Sequence, residues 1–424
     1  TPSPDGKWLH YTVSTPDWKE AKRQTDIHVV SLERGVSTTR QLTFTKDKNE
    51  TSPRWARDGS FFVFASNRDA PSSSATQNQL YLMRPDGGEA RKITEAKEGV
   101  STFALSKDGK WLAYRSGKSG EEQLYRLPIA GIDTAKPDQL TKQATGVGLW
   151  QWAPDSRRIY FVTADTTDPD EKLRIEKKFN VSIRNMETPR SSLWALDVEP
   201  KKTTRLTRDT TITVSDFEIS DDGKSIAFRG TTSDRYKRNI TEQNIYADQY
   251  LLEVATGQIE RLTNNTEVGE SGASFSPDGQ WIYFAHGPEP NEEMNVWRVR
   301  PSGGTTEQLT ALRAAANHLA PIDARTLLYV ARAEDRSGPW LWSLDVETRV
   351  TRRVISGLER YSSVSASRDG RRVVATVSNR TASLWRVPLL DREAVDRDVQ
   401  PYVLPSARGF SPRFGGKSLF YWSG

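Results

Sequence analysis

The chain has 424 residues, with 60 Lys and Arg against 55 Asp and Glu, so its net charge is only +5. The charges are interspersed, and no run of Lys or Arg is long enough to track a nucleic acid. There is no cysteine, which excludes disulfides, thiolate metal sites and a cysteine nucleophile. Four histidines, His10, His28, His286 and His318, show no metal-ligand spacing, and no apolar run approaches the roughly 20 residues of a membrane span.

In chain order, one phrase recurs about every fifty residues. It reads small residue, any residue, Asp-Gly, two apolar strands, then Leu-Thr. Copies begin at Ser3-Pro4-Asp5-Gly6, Ala56-Arg57-Asp58-Gly59, Ser106-Lys107-Asp108-Gly109, Ser220-Asp221-Asp222-Gly223, Ser276-Pro277-Asp278-Gly279 and Ser367-Arg368-Asp369-Gly370. Degenerate copies are Ala153-Pro154-Asp155-Ser156 and Pro321-Ile322-Asp323-Ala324. A repeat of this length built only of strands predicts an all-β fold, a β-propeller of four-stranded blades with seven to eight blades.

The expected units run over about 1–43, 44–94, 95–141, 142–207, 208–263, 264–310, 311–354 and 355–404. Within each, strands such as Phe61–Arg68, Gln79–Leu82 and Lys92–Thr94 follow the Asp-Gly turn. Gly supplies positive φ there and Asp caps the turn. The Trp and Tyr residues fall mostly in these strands, where packing between blades is the expected role. Residues 405–424 read as a partial ninth repeat, either closing strands or a truncated continuation. The chain begins inside a repeat and stops inside another, as expected of a stretch from a longer protein.

Unit 4 is longer than the others. Between Ala164 and Arg190 it carries Glu171–Phe179, of helix-forming composition after an Asp/Pro start. Inserted loops of this kind carry function more often than strands do. A shorter excursion, Thr231 to Asn244, is rich in Arg and Lys.

Catalytic signatures are missing. The nearest string to a nucleophile elbow, Gly269-Glu270-Ser271-Gly272-Ala273, lacks the final Gly and leads straight into the next strand. No Walker loop, dinucleotide fingerprint or zinc-binding helix occurs. The pairs Asp221-Asp222 and Glu292-Glu293 read as turn chemistry, as does the Asp of each repeat. No catalytic residue, metal or cofactor is therefore assigned. Asn49, Asn180, Asn239, Asn264 and Asn379 sit in Asn-x-Ser/Thr strings, which matter only in a glycosylating, secreted context.

From Ser3 to about Phe284 the sequence resembles the N-terminal propeller of the prolyl oligopeptidase (S9) superfamily, in its acylaminoacyl- and dipeptidyl-peptidase-like members. The carrying residues are Ser3–Trp8 with Tyr11–Ser14, Ser52-Pro53-Arg54-Trp55 with Ala65–Arg68, and Glu176–Phe179 followed by Thr188-Pro189-Arg190 and Leu193-Trp194. From about Val296 to Trp422, strings such as Ser337–Trp342 and Ser383–Pro388 resemble TolB-type propellers attached to bacterial serine/threonine kinases.

The first resemblance implies a non-catalytic ring that caps an α/β-hydrolase domain, gates its access and binds peptide, with Arg174, Lys177, Arg184 and Arg190 lining an entrance. The second implies a protein- or ligand-binding sensor ring. A third expectation is a structural subunit that pairs through open strand edges as a homo-oligomer. The expected setting is bacterial and extracytoplasmic, periplasmic or secreted, without nucleic acid and without a membrane span in this chain.

Overall fold

The computed structural model describes the chain except residues 18–21, 71–76, 167–168, 180–188, 209–210, 233–246, 265–268, 288–292, 314, 356–359, 368–369, 379–383, 404–408, 417 and 423–424. It divides into two compact units. One comprises Thr1–Pro290 with Val296–Leu309, the other Asn291–Asn295 with Thr310–Gly424.

The first unit is a series of antiparallel sheets. The first sheet is β1 (Trp8–Asp17), β2 (Lys22–Ser31) and β3 (Gly35–Gln41); the second is β4 (Glu50–Trp55), β5 (Phe62–Ser66), β6 (Gln79–Met83) and β7 (Arg91–Lys92). The third is β8 (Val100–Leu105), β9 (Trp111–Ser116), β10 (Gln123–Pro128) and β11 (Asp138–Gln139). The fourth is β12 (Trp150–Trp152), β13 (Arg158–Ala164), β14 (Ser191–Asp197) and β15 (Lys202–Arg205), with helix α1 (Pro169–Glu176) inserted between β13 and β14. The fifth is β16 (Thr213–Ile219), β17 (Ser225–Thr231), β18 (Asp248–Glu253) and β19 (Ile259–Arg261). The sixth has its first strand broken into β20 (Gly269–Glu270) and β21 (Ser274–Phe275), followed by β22 (Ile282–Gly287), β23 (Asn295–Val299) and β24 (Glu307–Gln308).

The strand pattern explains how these sheets stack. All five residues of β5 are buried. Phe62 and Phe64 join Ile27, Val29 and Tyr81 in one core, while Val63 and Ala65 join Leu112 and Tyr114 in the next. In β13, Ile159 and Phe161 pack with Ala113 and Leu124, and Tyr160 and Val162 pack with Phe217 and Phe228. Successive side chains of a strand point to opposite faces, so a strand covered on both faces must be apolar throughout.

The Ser-x-Asp-Gly phrase is a hydrogen-bonded turn. Ser3 Oγ donates to Asp5 Oδ1 at 2.6 Å and accepts from Trp8 N at 3.0 Å, while Lys7 N donates to Asp5 Oδ1 at 3.0 Å. The same three bonds recur around Ser106, Ser220 and Ser276. The closing Gly has φ of 64° at Gly6 and 74° at Gly109, a region open to Gly without steric cost. The Leu-Thr phrase is equally specific. The hydroxyls of Thr43, Thr94, Thr141, Thr207 and Thr263 accept from the amides of Ile27, Leu80, Leu124, Leu193 and Gln249, on β2 in the first sheet and on the third strand in the others. Each buried Thr thereby satisfies a backbone donor that the short fourth strand leaves over.

The second unit begins with a seventh sheet, β25 (Asn317–Pro321), β26 (Thr326–Ala331), β27 (Trp340–Asp345) and β28 (Val350–Arg353). Three strand pairs follow: β29 (Arg360–Ala366) with β30 (Val373–Ser378), β31 (Leu384–Arg386) with β32 (Gln400–Tyr402), and β33 (Phe410–Gly415) with β34 (Ser418–Trp422). The repeat pattern expects residues 355–404 as one four-stranded sheet; among the described residues they form two separate pairs. Tyr361 and Val364 of β29 share a core with Leu328, Val330 and Leu341, whereas Trp385 and Val387 stay more than half exposed.

Candidate functional site

Two surfaces of the first unit collect chemistry. One is the row of first strands. Trp150 Nε1 donates to Thr102 Oγ1 at 2.8 Å, Trp152 Nε1 to Ala104 O at 3.2 Å, and Gln151 Nε2 to Phe217 O at 2.9 Å. Phe275 N lies 3.4 Å from Glu218 Oε1. The first strands of the third to sixth sheets therefore stand side by side. Bulges interrupt their registers between Val100 and Thr102 and between Val214 and Asp216, leaving Ser101 and Ser215 exposed. A bulge of this kind re-aims side chains and recurs beside functional sites. Here each bulge receives an arginine from the neighbouring strand. Arg115 Nε bonds Ser101 Oγ at 2.9 Å and its terminal nitrogen reaches the carbonyls of Val147 and Gly148. Arg229 repeats this with Ser215 Oγ and the Glu270 carbonyl.

Asp216 and Glu218 lie two apart on β16 along this row. Burial pushes the half-buried Glu218 carboxyl up to about 7, helped by repulsion from Asp216 and Asp221 and opposed by the Phe275 amide. A Cβ on Gly272 would come within 2.5 Å of Asp216 Oδ2, so Gly272 gives this carboxylate a close approach to the next sheet. Such a carboxyl pair can accept a cationic or hydrogen-bond-donating group of an extended chain.

The second surface is the insertion after β13. Its ends close on Asp165, whose N–H donates to Arg190 O at 2.6 Å and whose carboxylate accepts from Ser192 Oγ and Arg205, both at 3.3 Å. Of the four cations expected at an entrance, Arg174 sits half-buried in the last turn of α1, and its carbonyl accepts from Phe179 N. Lys177 is exposed just beyond the helix, with its amide bonded to Leu173 O. Arg190 is half-buried at the base, and Arg184 lies outside the described residues. Arg205, which bonds the Asp165 carboxylate, belongs to the same neighbourhood and escaped the sequence reading because its signal is that of an ordinary fourth strand.

Ser271 falls in the gap between β20 and β21. Its hydroxyl accepts from Ala285 N at 2.9 Å and donates to Gly272 O at 3.3 Å, while the His286 imidazole bonds Glu270 Oε1 at 3.2 Å. The serine holds the broken strand together rather than engaging the histidine. Asp222 serves its turn, as expected, and Glu292 lies outside the described residues. Of the five Asn-x-Ser/Thr asparagines, Asn264 is exposed and Asn49 half-buried with its backbone N–H donating to Asn67 Oδ1; Asn180, Asn239 and Asn379 lie outside the described residues. Asn264 also borders an open cleft of about 430 Å³ lined by Arg261, which is already paired with Asp248 at 2.6 Å. Among the described residues no group of three or more His, Cys, Asp or Glu side chains is placed to hold a metal.

Residues 92–209, which bracket the insertion, match the family described as prolyl oligopeptidase, N-terminal β-propeller domain. Over 349 residues the chain is 23% identical to dipeptidyl-peptidase 5 of Porphyromonas gingivalis, covering 73% of this chain and 47% of that one. Over 203 residues it is 33% identical to an uncharacterized peptidase of Bacillus subtilis, covering 40% of this chain and 29% of the relative. The chain thus spans less than half the length of these relatives. In fold it is similar to a structure from an analysis of two prolyl endopeptidases, with TM-score 0.54 at 14% identity, covering 84% of this chain and 49% of that one. In sequence and in architecture, the chain is similar to the N-terminal β-propeller of the prolyl oligopeptidase superfamily.

Proposed function

We propose that this chain is the access-controlling propeller of an S9-type serine peptidase, with its partner an α/β-hydrolase domain outside these 424 residues. The observation that carries this reading is the position of the family match: it spans 92–209 and so includes the cation-bearing insertion between Asp165 and Arg190. In this role the propeller takes no chemical step. It admits an extended peptide, excludes bulk water and folded substrates, and orients the peptide terminus. Arg174, Lys177 and Arg190 supply positive charge for a peptide carboxylate, a charge-assisted contact. Arg184 completes the set in sequence.

The test uses the complete natural protein. It should label with a fluorophosphonate serine probe and cleave a short peptide p-nitroanilide. Charge reversal at Lys177 (Lys177→Glu) should raise KM for peptides with a free C-terminal carboxylate by about tenfold, as expected for a lost charge-assisted contact. It should leave kcat, and the KM of the amidated peptide, unchanged. Absence of any serine-hydrolase labelling in the complete protein sinks the reading.

A further inference from the structure

One position of the repeat departs from its siblings in a way that changes its chemistry. At the start of the third strand, Gln79 and Gln123 clamp the loop that follows the Leu-Thr phrase. Gln79 Oε1 accepts from Thr94 Oγ1 and Ala96 N, and its Nε2 donates to Ala96 O at 2.7 Å. Gln123 does the same for Thr141 and Gln143, and Asn295 for Thr310 and Leu312. Where the fifth sheet has Asp248 instead, Arg261 supplies the donors, bonding both that carboxylate and Thr263 O.

The first sheet has Asp26 at this position. A carboxylate accepts only, so the donor that an amide offers to the loop is gone. Asp26 is 6% exposed; its Oδ2 accepts from Gln24 Nε2 at 2.9 Å, and its Oδ1 has no hydrogen bond. A second carboxyl comes close, because Thr25 bridges Asn49 in parallel and Asp26 and Glu50 are the residues that follow them. Glu50, at the start of β4, is fully buried; its Oε1 accepts from Ser66 Oγ at 3.1 Å and Arg68 at 3.2 Å, and its Oε2 has no hydrogen bond. Burial and the nearby Asp26 carboxylate push the Glu50 pKa up, opposed by the Thr45 hydroxyl acting as a hydrogen-bond donor and by Arg68. Thr45 is the counterpart of Ala96 and Gln143, the residues the sibling amides clamp. Glu270, which occupies the position of Glu50 in the sixth sheet, has both oxygens satisfied, by His286 and Thr263.

Arg68 bonds one of these two buried carboxylates, Glu50, and each carboxylate keeps one oxygen without a hydrogen bond. Buried charge in that state is costly unless something positive fills it. We propose that Asp26 and Glu50, together with Thr45, form a binding site for a hard metal cation of the calcium class, tying the 43–50 loop to the first and second sheets. Oxygen donors that include two carboxylates are the set such a cation takes. The sequence spacing gives no hint of it, because the two acids come from different repeats.

The test is calcium titration of the EDTA-stripped chain by calorimetry, with thermal unfolding alongside. Calcium should bind at one site per chain and raise Tm by several degrees, the linkage expected of a ligand bound only by the folded state. Asp26→Gln, which installs the sibling amide, should abolish binding while its Tm stays at or above that of the calcium-free parent. Glu50→Gln should weaken binding at least tenfold. An unresponsive parent overturns the proposal and leaves a proton shared by the two carboxyls as the occupant. Calcium responses in both variants equal to the parent's overturn it as well.

Discussion

His10 offers the sharpest test of how the first unit is held together. On β1 it occupies, counted from the Asp-Gly turn, the position that Val63, Ala113 and Ala227 fill on the second strands of sibling sheets, each fully buried and apolar. His10 is also fully buried, stacked on Trp55 at 4.0 Å and edge-on to Phe62 at 4.2 Å. Burial, and then repulsion by the charged amine of Thr1, hold its pKa down to about 3, against 6.5 in the unfolded chain, opposed by the Pro85 carbonyl.

Between these values the unfolded state binds a proton that the folded state refuses, so stability is full above about pH 6.5 and falls as pH drops toward 3. The difference amounts to about 2 kcal/mol at pH 5, taking about 1.4 kcal/mol per unit. His10→Val, the sibling residue, adds a pH-independent packing change but removes this slope. Urea unfolding of both proteins from pH 8 to 5 should show the variant gaining about 2 kcal/mol on the parent across that range. Parallel curves, or an imidazole resonance of His10 titrating near 6.5, would refute the reasoning.

Glu218 carries the opposite dependence. Its folded pKa of about 7 exceeds the unfolded value of 4.5, so its contribution is present below 4.5 and is lost as pH rises through 7. Glu218→Gln should therefore stabilise the chain at pH 8, on the order of 1 kcal/mol after discounting for partial exposure, and have little effect at pH 4.5; equal shifts at both pH values contradict the assignment. Thr141→Val keeps the shape but strips the acceptor from Leu124 N and the donor to Gln123. It should cost about 1–3 kcal/mol in urea melts, with Thr141→Ser near the parent; a harmless Val would show that the Leu-Thr phrase is not the device described.

The insertion marks how far sequence reaches toward the site. Helix-forming composition over Glu171–Phe179 is met by a helix over Pro169–Glu176, so the element and its cations were legible. Their neighbours were not. Arg205 joins Asp165 through a strand pairing, and Asp216 meets Gly272 across two sheets. Neither relation leaves a mark in local spacing, because it depends on which faces of successive sheets meet.

By itself the sequence determined the repeat, the strand order within units two to seven and the turn chemistry. Those depend on residues within a few positions of one another: Ser3 with Asp5, Gly109 at positive φ, and Phe62 alternating with Val63 between two cores. Only the tertiary structure decided which polar groups lack their siblings' partners, as at Asp26, Glu50 and His10. It also decided that, among the described residues, 355–404 form strand pairs in place of a single sheet. The physical reason is that satisfaction of a buried polar group is a property of the neighbouring sheet, and the neighbour lies about fifty residues away in the chain.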